Sequence, residues 1–229
     1  MHKHLSLMAK FLHIETATKI CSVAISENGQ LVDFIEEKSD KYIHAERITI
    51  FINEVCKRND WQLSDLSAIV VSSGPGSYTG LRIGISTAKG LCYALKTPLI
   101  AIDSIESIAF LAFKKHPNTN ICAMIDARRM EVFSSIYDKD FKVIKQLSAD
   151  VLDSKSYKEF EPFVVCGDGA EKMKEIWEDR DLVFDLEILS SAIGQVEIAF
   201  QKYKNKVFED VAYFEPLYLK DFVITKKKS

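Results

Sequence analysis

The chain has 229 residues, 47% of them hydrophobic, and its 30 Lys and Arg against 33 Asp and Glu leave a formal net charge of −3. This charge balance excludes a protein that grips nucleic acid on its own through a broad basic surface. Because no apolar run is long enough to span a bilayer and the N-terminus lacks a signal-peptide pattern, the composition also argues against membrane and secreted proteins, and we expect a cytoplasmic protein.

The apolar content suffices for one large core or two smaller ones. The five cysteines are scattered through apolar stretches without a CxxC pair, which favours reduced thiols inside a core. Regular patterning begins only at Phe11, so residues 1–10 are expected to be a disordered leader. Met8 is an alternative to Met1 as the start of translation, and the pattern does not decide between them.

The first part of the chain predicts a three-stranded meander followed by a helix. Alternating apolar residues predict strands over residues 11–15, 21–26 and 31–35. A polar turn joins the first pair of strands, and Asn28-Gly29 is a strong hairpin signal between the next pair. The helix predicted over residues 43–58 is apolar on two flanks, so it must bury more than one face, as a core and a partner together would allow.

A strand over residues 67–71 then leads into a glycine-rich segment and a helix over residues 80–95. The GxGxxxG spacing, the missing N–H of Pro75 and the lack of a following Gly-Lys-Ser/Thr argue against a phosphate-binding loop. Gly80, Gly84 and Ala88 recur every four residues along the helix. Glycine inside a helix costs about 1 kcal/mol relative to alanine, so close packing must offset it, against the chain's own sheet or against a partner.

The rest of the chain repeats the opening pattern. We expect a strand over residues 98–102, a helix over residues 104–115 with Ser104 as its N-cap, and a hinge at residues 116–118. Further strands are predicted over residues 121–125, 131–137, 141–145 and 163–166, a helix begins at Ala170, and a last helix covers about residues 190–204. The tail from Pro216 is expected to fray.

These elements predict a duplicated α/β fold, with halves over residues 11–115 and 116–229 that each contain a β-β-β-α unit and a mixed sheet. This is the layout of the actin-like ATPase (ribonuclease H-like) superfamily, in which the turn after each first strand meets phosphate in a cleft between the halves. Glu15 and Asp126 stand at the two equivalent turns. They are either a pair that faces Mg²⁺ and a nucleotide or two carboxylates that organise turns. The absence of glycine beside them favours the second interpretation.

Other candidate sites find less support. The histidines show no metal-binding spacing, and no nucleophile–base signature is present. Gly167-Asp168-Gly169 either faces an adenine or a ribose or is only a strand-to-helix turn, and the pattern leaves both open.

Five stretches, taken together, resemble the TsaB (YeaZ) family over nearly the whole chain. They are FLHIETAT at residues 11–18, GPGSYTGLRIG at 74–84, AKG at 88–90, DARR at 126–129 and PLYLK at 216–220. The resemblance implies an actin-like fold and a subunit of the machinery that makes threonylcarbamoyladenosine at position 37 of tRNAs reading codons that begin with A. It implies as partners TsaD, the catalytic paralogue, and TsaE, a small ATPase, and it implies that tRNA is met only through the complex.

The resemblance also implies where the chemistry lies. TsaD-like proteins bind a metal through an HxxxH pair, whereas residues 104–108 here contain no histidine. We therefore expect this chain to carry no metal, cofactor or catalytic residue. In the complex, we expect ATP to bind to TsaE and the metal to bind to TsaD. Glu15 stands where many relatives have Asp. We expect any residual nucleotide or TsaE contact at these positions: Glu15, Thr16, Asp126 and Arg128.

In the family, the first two helices form the interface with TsaD, or with a second copy when the protein is alone. Carried over, the interface is predicted at these residues: Ile48, Phe51, Ile52, Val55, Gly80, Gly84, Ala88, Leu91 and Cys92. The leading hypothesis is therefore a non-catalytic scaffold for TsaD, with the expectation that a bulky residue at Gly84 abolishes association and leaves the monomer folded. The alternative is an actin-like small-molecule kinase in which Glu15 and Asp126 hold Mg·ATP.

Overall fold

The computed structural model describes residues 8–39 and 43–220, which form two mixed sheets of five strands each. The strands are β1 Lys10–Glu15, β2 Ile20–Glu27, β3 Gln30–Lys38, β4 Ala68–Gly74, β5 Leu99–Asp103, β6 Asn120–Asp126, β7 Glu131–Tyr137, β8 Val143–Val151, β9 Phe163–Cys166 and β10 Val183–Asp185. The α-helices are α1 His44–Arg58, α2 Tyr78–Leu95, α3 Ser104–Lys115, α4 Met173–Ile176 and α5 Val196–Lys204. Short 3₁₀ turns lie at Leu63–Asp65, Lys158–Phe160, Ala170–Lys172 and Ala192–Gln195.

The two sheets have the same topology. The first has the order β3-β2-β1-β4-β5 and the second the order β10-β9-β6-β7-β8. In each, the first strand of its half pairs antiparallel with the next strand and parallel with a later one, β1 with β4 and β6 with β9. The predicted duplicated α/β architecture is confirmed by this repetition.

Strand alternation explains why the central strands are buried on both faces. In β1, Leu12 and Ile14 lie in a core under α1 and α2, whereas Phe11 lies in a second core on the opposite face, under α5. Successive side chains of a strand point to opposite faces of the sheet. A strand covered by helices on both faces is therefore buried almost throughout, as β1 and β4 are, and in β1 the buried residues include His13 and Glu15 as well as apolar side chains.

The chain crosses between the halves more than the sequence indicates. Although α3 follows β5 directly, it packs in a core with the second sheet, while α5 packs on the first sheet. After α5, Glu209 bridges to Leu99, and Leu217 donates its N–H to Ser73 O at 2.7 Å. The division at residue 116 assigns this returning segment to the second half, whereas Glu209 and Leu217 contact the first half and Lys220 contacts the second.

Several local predictions need correction. The N-cap of α3 is Asp103 rather than Ser104, since Asp103 Oδ1 accepts from the amides of Ile105 and Glu106 at 2.7 and 3.0 Å. The third strand of the second half begins at Val143 because residues 138–141 form a turn, and the segment at Ala170 is a 3₁₀ turn followed by one helical turn. Residues 217–220 make specific contacts instead of fraying, and the lysines at 226–228 lie outside the described residues.

The buried cysteines match their sequence interpretation. All five are buried and free of disulfides, and burial raises the pKa of the Cys92 thiol to about 11. The helices among the described residues include none that is long and apolar enough to cross a membrane.

Candidate functional site

The turn after β1 is closed to solvent. Glu15 and Thr16 are fully buried, and Ala17 and Thr18 are at most 6% exposed. Glu15 Oε1 accepts from the Ala17 amide at 2.7 Å, and Oε2 accepts from Gln195 Nε2 at 3.3 Å. Burial raises the pKa of the Glu15 carboxyl, and hydrogen bonds to it offset part of that rise. Glu15 therefore organises the turn from inside the protein and presents no oxygen to solvent.

The glycine-rich segment is what covers this turn. Ser77 N donates to Ala17 O at 2.6 Å, and Thr16 Oγ1 donates to Gly80 O at 2.9 Å. A Cβ on Gly80 would overlap the carbonyl oxygen of Thr16, and a Cβ on Gly84 would overlap Thr16 Oγ1. The small residues of α2 thus let the helix approach its own sheet closely. A bulky residue at Gly84 would therefore crowd Thr16 inside the monomer itself, besides any effect on a partner.

Most of the predicted interface residues also face inward. On α1 the four predicted positions are at most 5% exposed, and on α2 the residues Ala88 and Cys92 are at most 2% exposed. They belong to the core formed with β1, β2 and β4, and Leu91 is partly buried against it. The buried set is Ile48, Phe51, Ile52, Val55, Gly80, Gly84, Ala88 and Cys92. These residues shape the inner faces of α1 and α2 and are not presented to a partner.

The outer faces of the same helices carry different residues. Ile50 of α1 is 48% exposed, and Tyr93 of α2 is 85% exposed. Gly90 is exposed, and a Cβ built there would meet no atom within 4 Å. Ser86, Gly90 and Ala94 are exposed and recur every four residues, so they form a second, outer stripe of small residues on α2.

The cleft between the halves is closed at this turn by the 3₁₀ turn that precedes α5. Gln195 is fully buried and also donates from Nε2 to Ile14 O at 3.1 Å. Beside it, Ala192 N donates to Ser22 Oγ at 3.1 Å, and Ser191 Oγ donates to Glu36 Oε2 at 2.7 Å. A pocket of about 470 Å³ remains between β2, β3, α3 and the chain that follows β10.

The equivalent turn after β6 is open. Asp126 is exposed, forms an ion pair with Lys172 at 2.5 Å and accepts from the Arg128 amide at 2.6 Å. Arg128 and Arg129 are both exposed and have φ angles of 70° and 53°. Left-handed backbone costs a residue other than glycine about 1–2 kcal/mol.

Among the four predicted contact positions, Glu15 and Thr16 lie in the interior, and Asp126 and Arg128 lie on the surface.

The Gly-Asp-Gly segment after β9 has the contacts of a strand-to-helix turn. Gly167 has a φ of 92°, and a Cβ on it would overlap Met124 O. Asp168 Oδ1 accepts from the Asp126 amide at 3.1 Å, so this carboxylate supports the end of β6.

Within residues 8–39 and 43–220, no three His, Cys, Asp or Glu side chains are arranged to hold a metal ion. His13 is buried against Ser26 Oγ at 2.7 Å, and burial lowers its pKa to about 3. His44 Nε2 donates to Thr18 O at 2.8 Å, so this histidine supports the closed turn.

Sequence reasoning missed two groups that define these sites. Gln195 closes the first turn from 180 residues away in sequence, and no local motif marks it. An aromatic cluster stands at the start of α2, where the Tyr78 and Tyr218 rings lie 4.8 Å apart and the Arg82 guanidinium lies 4.0 Å from the Tyr78 ring centre. The stretches GPGSYTGLRIG and PLYLK both belong to the resemblance, but only the tertiary structure brings them together.

Comparisons with known proteins match most of the chain, across both halves. A family model described as "TsaD: tRNA N6-adenosine threonylcarbamoyltransferase" matches residues 38–224. The chain is 30% identical over 227 residues to the "tRNA threonylcarbamoyladenosine biosynthesis protein TsaB" of Escherichia coli K12, a match that covers 95% of this chain and 97% of the relative. The chain belongs to the TsaB (YeaZ) family.

Further comparisons with the TsaB family agree. The Bacillus subtilis protein of the same name is 31% identical over 174 residues, covering 76% of this chain and 69% of that protein. The solved structure of "YeaZ from Pseudomonas aeruginosa" superposes with a TM-score of 0.81 at 23% identity, covering 93% of this chain and all of that one. The predicted actin-like, ribonuclease H-like fold is confirmed.

Proposed function

We propose that this chain is the non-catalytic partner subunit of the complex that transfers the threonylcarbamoyl group to adenosine 37 of tRNAs reading codons that begin with A. It acts in the cytoplasm and scaffolds a TsaD-type catalytic subunit, on which a TsaE-type ATPase also docks. Membership of the TsaB family supports the pathway. The observation that carries the non-catalytic role is the closed turn after β1.

That closed turn occupies the place where an actin-like enzyme would meet phosphate. Thr16 and Ala17 use their backbone and side-chain oxygens to bind Gly80 and Ser77, and Gln195 binds Glu15. Opening the turn would expose the Glu15 carboxyl and break contacts among three separate segments of the chain. A kinase that needs Glu15 to hold Mg·ATP is therefore the weaker candidate, and calorimetry with Mg·ATP on the isolated chain tests it directly.

The scaffold interface is best placed on the outer faces of α1 and α2. Gly90 costs the exposed helix about 1 kcal/mol relative to alanine, and among residues 8–39 and 43–220 no contact accounts for a glycine there. Tyr93 and Ile50 add exposed aromatic and aliphatic area of the kind that is enriched in interface cores. The predicted residues on the inner faces then support this surface from below. The same faces serve for a homodimer when the chain is alone.

The test is association of the full chain with the TsaD-type protein of the same cell. Gly90→Arg has room for its side chain, so the monomer should keep its melting temperature while the affinity falls about a hundredfold, in line with an interface hot spot. Transfer of threonylcarbamoyl to tRNA should fall in parallel. Tyr93→Ala tests the neighbouring position, and Tyr213→Ala is its matched control because Tyr213 is 83% exposed outside both helices. Unchanged affinity in both interface variants would remove the assignment.

A further inference from the structure

An exposed basic and aromatic surface runs from the start of α2 to the turn after β6. We define this basic surface by Tyr78, Arg82, Arg128, Arg129, Tyr218 and Lys220. The link between its two ends is the segment 217–220, where Tyr218 accepts from Arg82 Nε at 3.1 Å and Lys220 contacts Ala127 O at 3.5 Å. Tyr218 and Lys220 are two residues apart, so their Cα atoms lie at most about 7 Å from each other, and their side chains connect the two ends of the surface.

The arginine pair stands in a backbone conformation that favours other residues. The turn between β2 and β3 also has two successive residues with positive φ angles, Asn28 at 53° and Gly29 at 80°. Asn and Gly adopt this conformation readily, whereas arginine does not. The chain thus places two arginines where the backbone alone favours Asn-Gly. Strained residues of this kind accumulate at functional surfaces.

Positive charge remains in excess at this surface after the local ion pairs are counted. Lys172 pairs with Asp126, and Lys220 pairs with Glu131. For the side chains of Arg128 and Arg129, the described part of the chain supplies no carboxylate partner within salt-bridge distance. The net charge of the whole chain is nevertheless −3. The basic surface can therefore make a local contact with a polyanion, but it could not hold a polyanion unaided.

The aromatic end of the surface indicates what kind of polyanion fits. Tyr218 is 38% exposed, its ring packs against that of Tyr78 with an interplanar angle of 32°, and the Arg82 guanidinium also lies over the Tyr78 ring. Flat aromatic and guanidinium groups are the platforms on which unpaired bases stack in protein–RNA complexes, while arginines bind the phosphates. An acidic protein would use the charge but has no need of the stacked rings.

We propose that the basic surface binds the tRNA within the assembled complex, with Arg128 and Arg129 on its phosphates and the Tyr78–Tyr218 stack against an unpaired base. This inference rests on the proposed function, since the catalytic partner must hold the same tRNA. It refines the expectation that tRNA is met only through the complex, because here the chain contributes contacts of its own to RNA that the complex already holds.

The test uses the complex reconstituted from this chain, its TsaD-type partner and its TsaE-type ATPase. In Arg128→Ala/Arg129→Ala, we expect tRNA to bind about tenfold more weakly and the slope of log affinity against log salt to fall by about 1–2, because two phosphate contacts are lost. Lys139→Ala/Lys142→Ala is the matched control, since it removes two exposed charges from the turn at the other end of β7. Tyr218→Ala should weaken binding without changing the salt slope.

Assembly is measured separately by gel filtration and calorimetry. Failure of the unmodified chain to form the complex would count against the proposed function, whereas an intact complex with unchanged tRNA affinity in the arginine variant overturns this inference alone. If the arginine variant loses only the TsaE-type ATPase, the surface is a protein docking site and the RNA assignment is wrong.

A second variant separates binding from structure. Arg128→Asn/Arg129→Gly restores residues suited to the positive φ angles, so its melting temperature should rise by about 2–6 °C while tRNA affinity still falls about tenfold. Arginines retained only for the fold would give the opposite result, with a lower melting temperature and unchanged affinity.

Discussion

The two turns that follow β1 and β6 occupy equivalent places in equivalent sheets, yet they are built in opposite ways. The first is buried under the glycine-rich segment and closed by Gln195. The second is exposed, with Asp126 paired to Lys172 and two arginines turned to solvent. A duplicated fold can thus retain its architecture while one copy of a site is buried in the core and the other copy lies on the surface.

The physical cause lies in what each half places over its turn. In the first half, α2 begins with small residues that let its backbone reach Thr16, so the turn is filled by protein. In the second half, the segment after β9 makes a 3₁₀ turn and a short helix, and Asp168 supports β6 from one side only. We therefore expect substitutions at the first turn to change the stability of the protein strongly and substitutions at the second turn to change it little.

The largest effect is expected at Gly84. Because a Cβ there would overlap Thr16 Oγ1, Gly84→Leu must shift α2 or Thr16, and we expect a loss of about 3 kcal/mol in the free energy of unfolding. Gly90→Ala on the outer face of the same helix should stabilise by up to about 1 kcal/mol. Urea unfolding of both variants measures this. Equal stabilities would mean that the glycines do not close the turn.

An intermediate effect, recognisable by its pH dependence, is expected at Glu15. Since burial raises the pKa of Glu15 in the folded state, the folded protein holds this proton to higher pH than the unfolded chain. The associated stability is present at low pH and is lost as the pH rises from the ordinary glutamate range through the folded pKa. Glu15→Gln stays neutral, so its stability relative to the parent should increase as the pH rises above the ordinary glutamate range.

Asp126→Asn is the matched control for that titration, because Asp126 is exposed on the equivalent turn. Unfolding free energies across the pH range are compared for the two variants and the parent. Parallel curves for the parent and Glu15→Gln would show that the carboxyl at the first turn titrates like an exposed one, and the contrast between the turns would be lost.

The smallest effect is expected from the same Asp126→Asn variant at neutral pH. Exposed ion pairs contribute about 0.2–1 kcal/mol, and asparagine can still accept from the Arg128 amide. We expect a change below about 1 kcal/mol that shrinks further in high salt. Thermal unfolding at low and high salt checks this, and a loss of several kcal/mol would indicate that the second turn is as integral to the core as the first.

Hydrophobic periodicity and turn residues predicted most strands and the long helices, because these signals are local. The strand β1, the Asn28-Gly29 hairpin and α2 with its small-residue stripe were all evident. The sequence did not show what the small-residue stripe packs against. Gly80 and Gly84 give the same pattern whether their neighbour is Thr16 of the same chain or another molecule. Interface residues such as Ile48 and Val55 were therefore assigned to a partner, although they pack in the core.

The amino-acid sequence is enough to predict the duplicated architecture, the family and the residue types at each turn, because strand patterns, motif order and residue types are properties of the chain alone. Which turn is closed and which is open depends on how the chain folds. Gln195 reaches Glu15, and Tyr218 reaches Arg82, across more than a hundred residues. Contacts at that separation depend on how the halves pack together, and no local pattern records them.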